Sequence, residues 1–278
     1  MFKNRRLVIA TKHEKEKIIA PLLENALGVL CFVQEDFDTD ELGTFTGEIE
    51  RKLAPIATAR QKCMMAMKLS NCDLGIASEG SFGAHPSIFF APADDEFLIF
   101  IDAKNNLEII ARELSMETNF NGSEIANQAA LLEFAELVKF PSHGLILRKS
   151  KTDNSTIIKG ISEVNQLKEA FEKLIEDVDS IYAETDMRAM YNPSRMAVIE
   201  LATKKLVDKI NSFCPQCSTP GFGITTVKKG LKCSWCALPT NSTLSFIHSC
   251  EKCNFTKEEL HPHKKTTEDP MYCNYCNP

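Results

Sequence analysis

Short apolar runs alternate with amphipathic stretches through the first three quarters of this chain. Leu7-Val-Ile-Ala10 has the length and composition of a buried strand. The charged turn Lys12-His13-Glu14-Lys15 follows, and Ile18, Ile19, Leu22 and Leu23 then recur at helical spacing. Residues 29–33 predict a second strand, and the polar, Thr- and Gly-containing residues 37–50 a loop. A helix is expected over residues 49–69, carrying Ala57, Cys63, Met64 and Met67 beside Arg60, Lys62 and Lys68, with Pro55 either kinking it or starting it afresh. Residues 73–80 read as an apolar strand that ends in Glu79 and Gly80. Further strands are expected at residues 87–90 and 96–102, and the turn Lys104-Asn105-Asn106 returns the chain into residues 107–112. Residues 123–138 have helical periodicity, residues 144–148 form a short strand, and residues 149–156 a polar loop. The clearest amphipathic helix spans residues 165–178, with Leu167, Ala170, Phe171, Leu174, Ile175 and Val178 on one face. Asn192-Pro193 has the cap-then-proline form of a helix start, and that helix runs to about residue 211.

After residue 211 the pattern changes. Eight of the eleven cysteines lie there in four C-x2-C pairs: Cys214/Cys217, Cys233/Cys236, Cys250/Cys253 and Cys273/Cys276. The two-residue gap lets both sulfurs of a tight turn point at one ion, and two such knuckles complete the four-thiolate shell that zinc prefers. Intervals of 15, 13 and 19 residues separate the pairs. Joining neighbours in sequence, the first pair with the second and the third with the fourth, gives spacings in the zinc-ribbon range and is the expected arrangement. Joining first with third and second with fourth is the alternative. Either way two structural Zn2+ ions are expected, with iron as a minor alternative for the same ligands. His248, His261 and His263 are spare candidate ligands. Residues 222–227 predict a hairpin strand, with Gly230 in the return turn.

These periodicities give an α/β fold class: a mixed-sheet main domain over residues 1–211 and a small zinc-ribbon domain over residues 212–278. At 278 residues, 44% hydrophobic and 25% charged, the composition is that of an ordinary globular protein. No apolar segment follows Lys3, Arg5 and Arg6 in the manner of a signal peptide, and the longest apolar run, residues 25–34, is about half the length a membrane helix needs. A cytoplasmic protein without a membrane partner is therefore expected, and in that compartment thiols stay reduced and favour metal over disulfides. The net charge of −6 is unevenly shared: from Ser212 onward there are 7 Lys and 5 acidic residues, against 25 Lys/Arg and 33 acidic residues before it. An acidic main domain is a poor general partner for phosphate backbones, and the tail's slight positive balance supports nucleic-acid binding only weakly.

Three places carry candidate chemistry. Thr11, Lys12, His13 and Lys15 lie between a strand and a helix N-terminus, where backbone N–H groups favour anions; Thr11 is a candidate cap and Lys15 a candidate phosphate ligand. The more common fate of such residues is a solvated turn. Glu79-Gly80, with Gly83 nearby, offers a carboxylate at a strand end suited to Mg2+, and Asp73, Asp94, Asp95 and Asp102 are carboxylates that could join it. Arg60 and Lys62, with Arg188 and Arg195 from the far end, would suit a triphosphate if they converge. His85 and His143 have no partner that sequence can name, and Cys31, Cys63 and Cys72 read as small core residues.

In order, the strand ending at Thr11, the helix bearing a lysine, Ala57-x-x-Arg60, the segment Asp73-Leu-Gly-Ile-Ala-Ser-Glu79-Gly80 and a β-hairpin resemble the inosine/xanthosine triphosphate pyrophosphatases over roughly residues 7–112. That resemblance implies an inosine triphosphatase-like fold, phosphate contacts from Lys15 and Arg60, and metal or catalytic work near Glu79. With its paired knuckles the whole chain also resembles an uncharacterised bacterial family of unknown function. Two classes of function follow. One is a Mg2+-dependent nucleoside triphosphate pyrophosphatase or nucleotide-binding protein, with Thr11, Lys15, Arg60 and Lys62 on phosphate and Glu79, Arg60 and Lys15 in the reaction. The other is a non-enzymatic module whose zinc ribbons dock a protein or nucleic-acid partner, with Trp235 and Phe255 as contact candidates. A third, plainer role for the ribbons is to staple the C-terminus.

Overall fold

The computed structural model describes residues 1–34 and 53–278. The loop expected over residues 37–50 lies outside the described residues, as does the start of the helix expected from residue 49. The chain divides into two compact units, Met1–Val207 and Asp208–Pro278. Among the described residues no helix is long and apolar enough to cross a membrane.

The first unit is mixed α/β with two sheets. Its five-stranded sheet is built from β1 (Arg6–Ala10), β2 (Leu30–Val33), β3 (Leu74–Ala84), β4 (Pro92–Asp102) and β5 (Leu107–Ser115), in the order β2-β1-β3-β4-β5. β1 runs parallel to β2 and β3, whereas β3, β4 and β5 are antiparallel neighbours. The parallel part arises because helix α1 (Glu16–Leu27) carries the chain back between β1 and β2, and α2 (Pro55–Leu69) precedes β3. α2 begins at Pro55, whose missing N–H costs nothing at a first helical position, so this proline starts the helix rather than kinking it. Ala59, Cys63, Ala66 and Met67 of α2 pack on Val8, Ala10, Ala77 and Ile99 of the sheet.

The second sheet is antiparallel, with order β6-β9-β7-β8 from β6 (Gly122–Ile125), β7 (Leu145–Arg148), β8 (Ile157–Ile161) and β9 (Ile181–Thr185). Helices α3 (Gln128–Leu137) and α4 (Val164–Ile175) cover it through Leu131, Phe134, Leu167, Phe171 and Leu174. Helix α5 (Pro193–Ile210) closes the unit. Its start is as expected: Asn192 Oδ1 accepts from the Arg195 backbone N–H at 3.0 Å and Pro193 takes the first helical position.

Two elements differ from expectation. Residues 87–90 form the turn joining β3 to β4, not a strand; Pro86 and Pro92 flank it, and Phe89 and Phe90 stand 79% and 93% exposed instead of packing. Residues 123–138 are not one helix. Ser123, Glu124 and Ile125 pair with β9, and Asn127 then caps α3 by accepting from the Ala130 N–H at 2.9 Å. β8 and β9 had no periodic signal strong enough to predict them.

The second unit is a three-stranded antiparallel sheet, β10 (Gly223–Lys229), β11 (Thr243–Ser249) and β12 (Thr256–Leu260), in sequence order, with the four knuckles at its ends. Its core is small: Phe222 stacks on His248 at 5.8 Å and meets Phe255 at 5.9 Å, beside buried Cys214 and Cys250.

Candidate functional sites: two cysteine centres and a buried charged cluster

Each knuckle has the same local geometry. The backbone N–H that follows the second cysteine returns to the first cysteine's carbonyl at 2.8 to 3.0 Å: Ser218 to Cys214, Ala237 to Cys233, Asn254 to Cys250 and Asn277 to Cys273. Ser218, Ala237 and Asn254 adopt positive φ to make that turn. The turns gather the sulfurs into two groups, Cys214, Cys217, Cys250 and Cys253, and Cys233, Cys236, Cys273 and Cys276. The first knuckle therefore meets the third and the second meets the fourth, which corrects the sequential pairing. The reason is physical: C-x2-C fixes only the local turn, whereas the β10–β11 hairpin brings Gly223 opposite Ser249, placing Cys217 and Cys250 together at one end.

Sulfur–sulfur distances are 3.6 Å for Cys214–Cys253, Cys217–Cys250 and Cys236–Cys273, and 3.9 Å for Cys233–Cys276. A regular tetrahedron with metal–sulfur bonds of about 2.3 Å has edges of about 3.8 Å. These separations match such an edge and are far too long for a disulfide. Each group can hold one metal ion with four thiolates, leaving no open coordination position.

The first unit brings together a different set. β1 stops at Ala10, paired with Ala77, while β3 continues to Ala84. In the space beyond the end of β1, Lys15 turns its side chain inward and donates to the Ser78 hydroxyl at 2.9 Å. Pairing and alternation divide the neighbouring side chains between the faces of β3. On the α2 face, Lys62 Nζ pairs with Glu79 Oε2 at 2.8 Å, both buried. On the opposite face, Gly80 lies across from Glu96 and Phe82 across from Asp94. There Arg195, from the first turn of α5, donates its Nε to Glu96 at 2.6 Å and an Nη to the Met187 carbonyl, and lies over the Phe82 ring at 5.0 Å.

The cluster holds three cations and three carboxylates out of water. Burial, reinforced by the Arg195 charge, pulls the Lys15 ammonium down to about 8. Burial, reinforced by Glu96, pushes the Asp94 carboxyl up to about 8. Both Asp94 oxygens, Glu96 Oε2 and Thr11 Oγ1 have no hydrogen-bond partner among the described residues. Unpaired buried acceptors cost free energy, on the order of 1–3 kcal/mol each, so this is not a settled internal salt-bridge network.

The sequence candidates sort accordingly. Lys15, Asp94 and Arg195 share the face of β3 that carries Ser78, Gly80 and Phe82, whereas Lys62 and Glu79 pair on the α2 face, within electrostatic reach of Lys15. Thr11 lies beside them but does not cap α1, whose N-cap residue is Lys15 with no side-chain cap. Arg60 is elsewhere, forked onto Glu108 and 39% exposed at its side chain. Asp73 and Asp102 pair with Arg5, Asp95 with Arg112, and Arg188 with Asp186. His143 bridges Ser142 and Ser194 through its two ring nitrogens. Ser78 and Glu96 were missed. Glu96 was legible: Asp94, Glu96, Leu98 and Phe100 alternate along one strand, which puts both carboxylates on the face of two buried apolar residues.

Comparison with curated proteins finds no match. A family pattern does match, over residues 62–278, which takes in Lys62, Glu79, Asp94, Glu96, Arg195 and all eight knuckle cysteines but not Lys15 or Arg60. It gives no support to the resemblance with nucleoside triphosphate pyrophosphatases. The chain belongs to this family, described as Domain of unknown function (DUF6671).

Proposed function

We propose that the first unit binds a nucleoside triphosphate with Mg2+ and hydrolyses it to the monophosphate and pyrophosphate, and that the second unit holds two structural zinc ions. The observation that carries the hydrolase reading is the juxtaposition of buried cations with buried, unpartnered carboxylate oxygens. Lys15 and Lys62 suit phosphate oxygens. Both Asp94 oxygens and Glu96 Oε2 lack donors, which suits a hard cation. Mg2+ takes one or two carboxylates together with substrate phosphates and would supply charge neutralisation at the bond that breaks. Glu79, held by Lys62, would orient or deprotonate the attacking water. Zinc is the reading for the cysteine centres because both are closed four-thiolate shells in a unit with a small apolar core, where metal contributes the folding free energy.

The test is pyrophosphate release from a panel of nucleoside triphosphates with and without Mg2+, repeated with Glu79→Gln. Magnesium-dependent release that falls on the order of 100-fold in the variant supports the reading. No release from any substrate, or none lost in the variant, contradicts it. A second reading is favoured by Trp235 and Tyr275, which stand 80% and 69% exposed inside the knuckles of one cysteine centre and suit a docked protein. A partner of the full chain that survives Trp235→Ala unchanged would contradict that reading.

A further inference from the structure

An open groove of about 540 Å3 lies between the turn joining β3 to β4 and the edge of the second sheet. Its walls are aromatic. Phe89 and Phe90 stand on one side, and Phe120 and Tyr182 on the other. Two exposed phenylalanines held side by side in a turn are costly to leave in water. The Tyr182 ring lies against Gly122, where a side-chain carbon would collide with the phenol, so the absence of a side chain at Gly122 is what lets Tyr182 take its place in this wall. Polar groups of both kinds line the same groove: the Lys151 ammonium, 5.9 Å from the Tyr182 ring centroid, and the Glu184 carboxylate, one oxygen of which accepts from Arg148.

A groove lined by aromatic rings with a donor and an acceptor suits a planar heterocycle that stacks through its faces and hydrogen-bonds through its edge. The volume falls within the range of about 300–1,000 Å3 usual for small-molecule sites. One aromatic ring links the groove to the charged cluster. The Phe82 ring touches the Arg195 guanidinium and lies 5.9 Å from the Phe120 ring. Along β3, Gly83 at the groove is four residues from Glu79 in the cluster, or about 13 Å at the usual strand rise. A nucleoside and its phosphate chain span such a distance.

We propose that this groove is a nucleobase subsite, stacking the base between Phe89/Phe90 and Phe120/Tyr182 and reading its edge through Lys151 and Glu184. The proposal rests on the nucleotide reading of the cluster and assigns that ligand's ring end. Nucleosides without phosphate (inosine, guanosine, adenosine, cytidine and uridine) are presented to the full chain, and ring-proton saturation transfer is measured by NMR. Tripolyphosphate binding is followed separately by 31P NMR. At least one nucleoside is expected to receive saturation at its ring protons, and Phe90→Ala and Lys151→Ala each to cut that signal at least fivefold without changing tripolyphosphate binding. Phe90 is almost fully exposed, so its variant folds as the parent does. Absence of binding by every nucleoside overturns the proposal, as does a signal that both variants leave intact. Nucleoside binding without tripolyphosphate binding upholds the ring subsite and sinks the phosphate reading; the reverse result sinks the subsite alone.

Discussion

Gly80 and Glu96 face each other across the β3–β4 ladder, and any side chain on Gly80 would run into the Glu96 carboxylate and stand 2.6 Å from an Arg195 Nη. The buried ion pair can lie against the strand only because position 80 has no β-carbon. Gly80→Ala must move Arg195 or Glu96, which are buried and bonded to each other. It is expected to cost about 1–3 kcal/mol, read as a lower urea midpoint. Gly83→Ala, with nothing within 4 Å of the added carbon, is expected to stay within about 0.5 kcal/mol of the parent.

Asp94 makes a prediction in pH. Its folded-state carboxyl is raised to about 8, so the folded protein holds a proton that the unfolded chain releases at about pH 4. The stability that goes with that proton is fully present below about pH 4 and is lost progressively as pH rises towards 8. Asp94→Asn, which cannot ionise, escapes the loss. Without added magnesium its stability relative to the parent is expected to climb between about pH 4 and pH 8 and level off above. Urea melts at a series of pH values check this, and a pH-independent difference would contradict the assignment.

What the sequence showed clearly was local. The 15-residue helix α2, the β4–β5 hairpin and the proline-started α5 each carry their own periodicity and caps. Four knuckles could be counted, but not joined, because C-x2-C says nothing about which knuckle is across the sheet. Lys15 and Glu79 were singled out from a turn and a strand end; Lys15 donates to Ser78, the neighbour of Glu79, and Glu79 itself pairs with Lys62 on the other face of the strand. Arg60 was drawn in by its motif, yet Glu108 holds it on a different part of the sheet. Lys62, two residues on, points the other way round the helix and reaches Glu79 instead. Strand β9 was missed because its apolar stretch, Ile181 to Ala183, is too short to show a period.

The interleaved cysteine centres make opposite predictions from sequential ones for a single double variant. Cys217 and Cys250 belong to the same group. Replacing both by serine leaves one group with two cysteines and the other complete. Elemental analysis is expected to give one zinc per chain instead of two, and cobalt substitution the spectrum of an intact four-thiolate site at half the parent's intensity. Sequential pairing would instead leave two three-cysteine sites and no intact four-thiolate spectrum.

In the proposed nucleotide site Lys62 pairs with Glu79, whereas Arg60 is held away from it by Glu108. The most direct measurement compares kcat/KM for magnesium-dependent pyrophosphate release in Lys62→Met and Arg60→Met, using the best substrate of the parent. Lys62→Met is expected to lose at least about 100-fold, near 2.7 kcal/mol of transition-state stabilisation, and Arg60→Met to stay within about twofold. Equal losses in the two variants, an unimpaired Lys62→Met, or a parent with no turnover of any triphosphate would contradict the proposed nucleotide site.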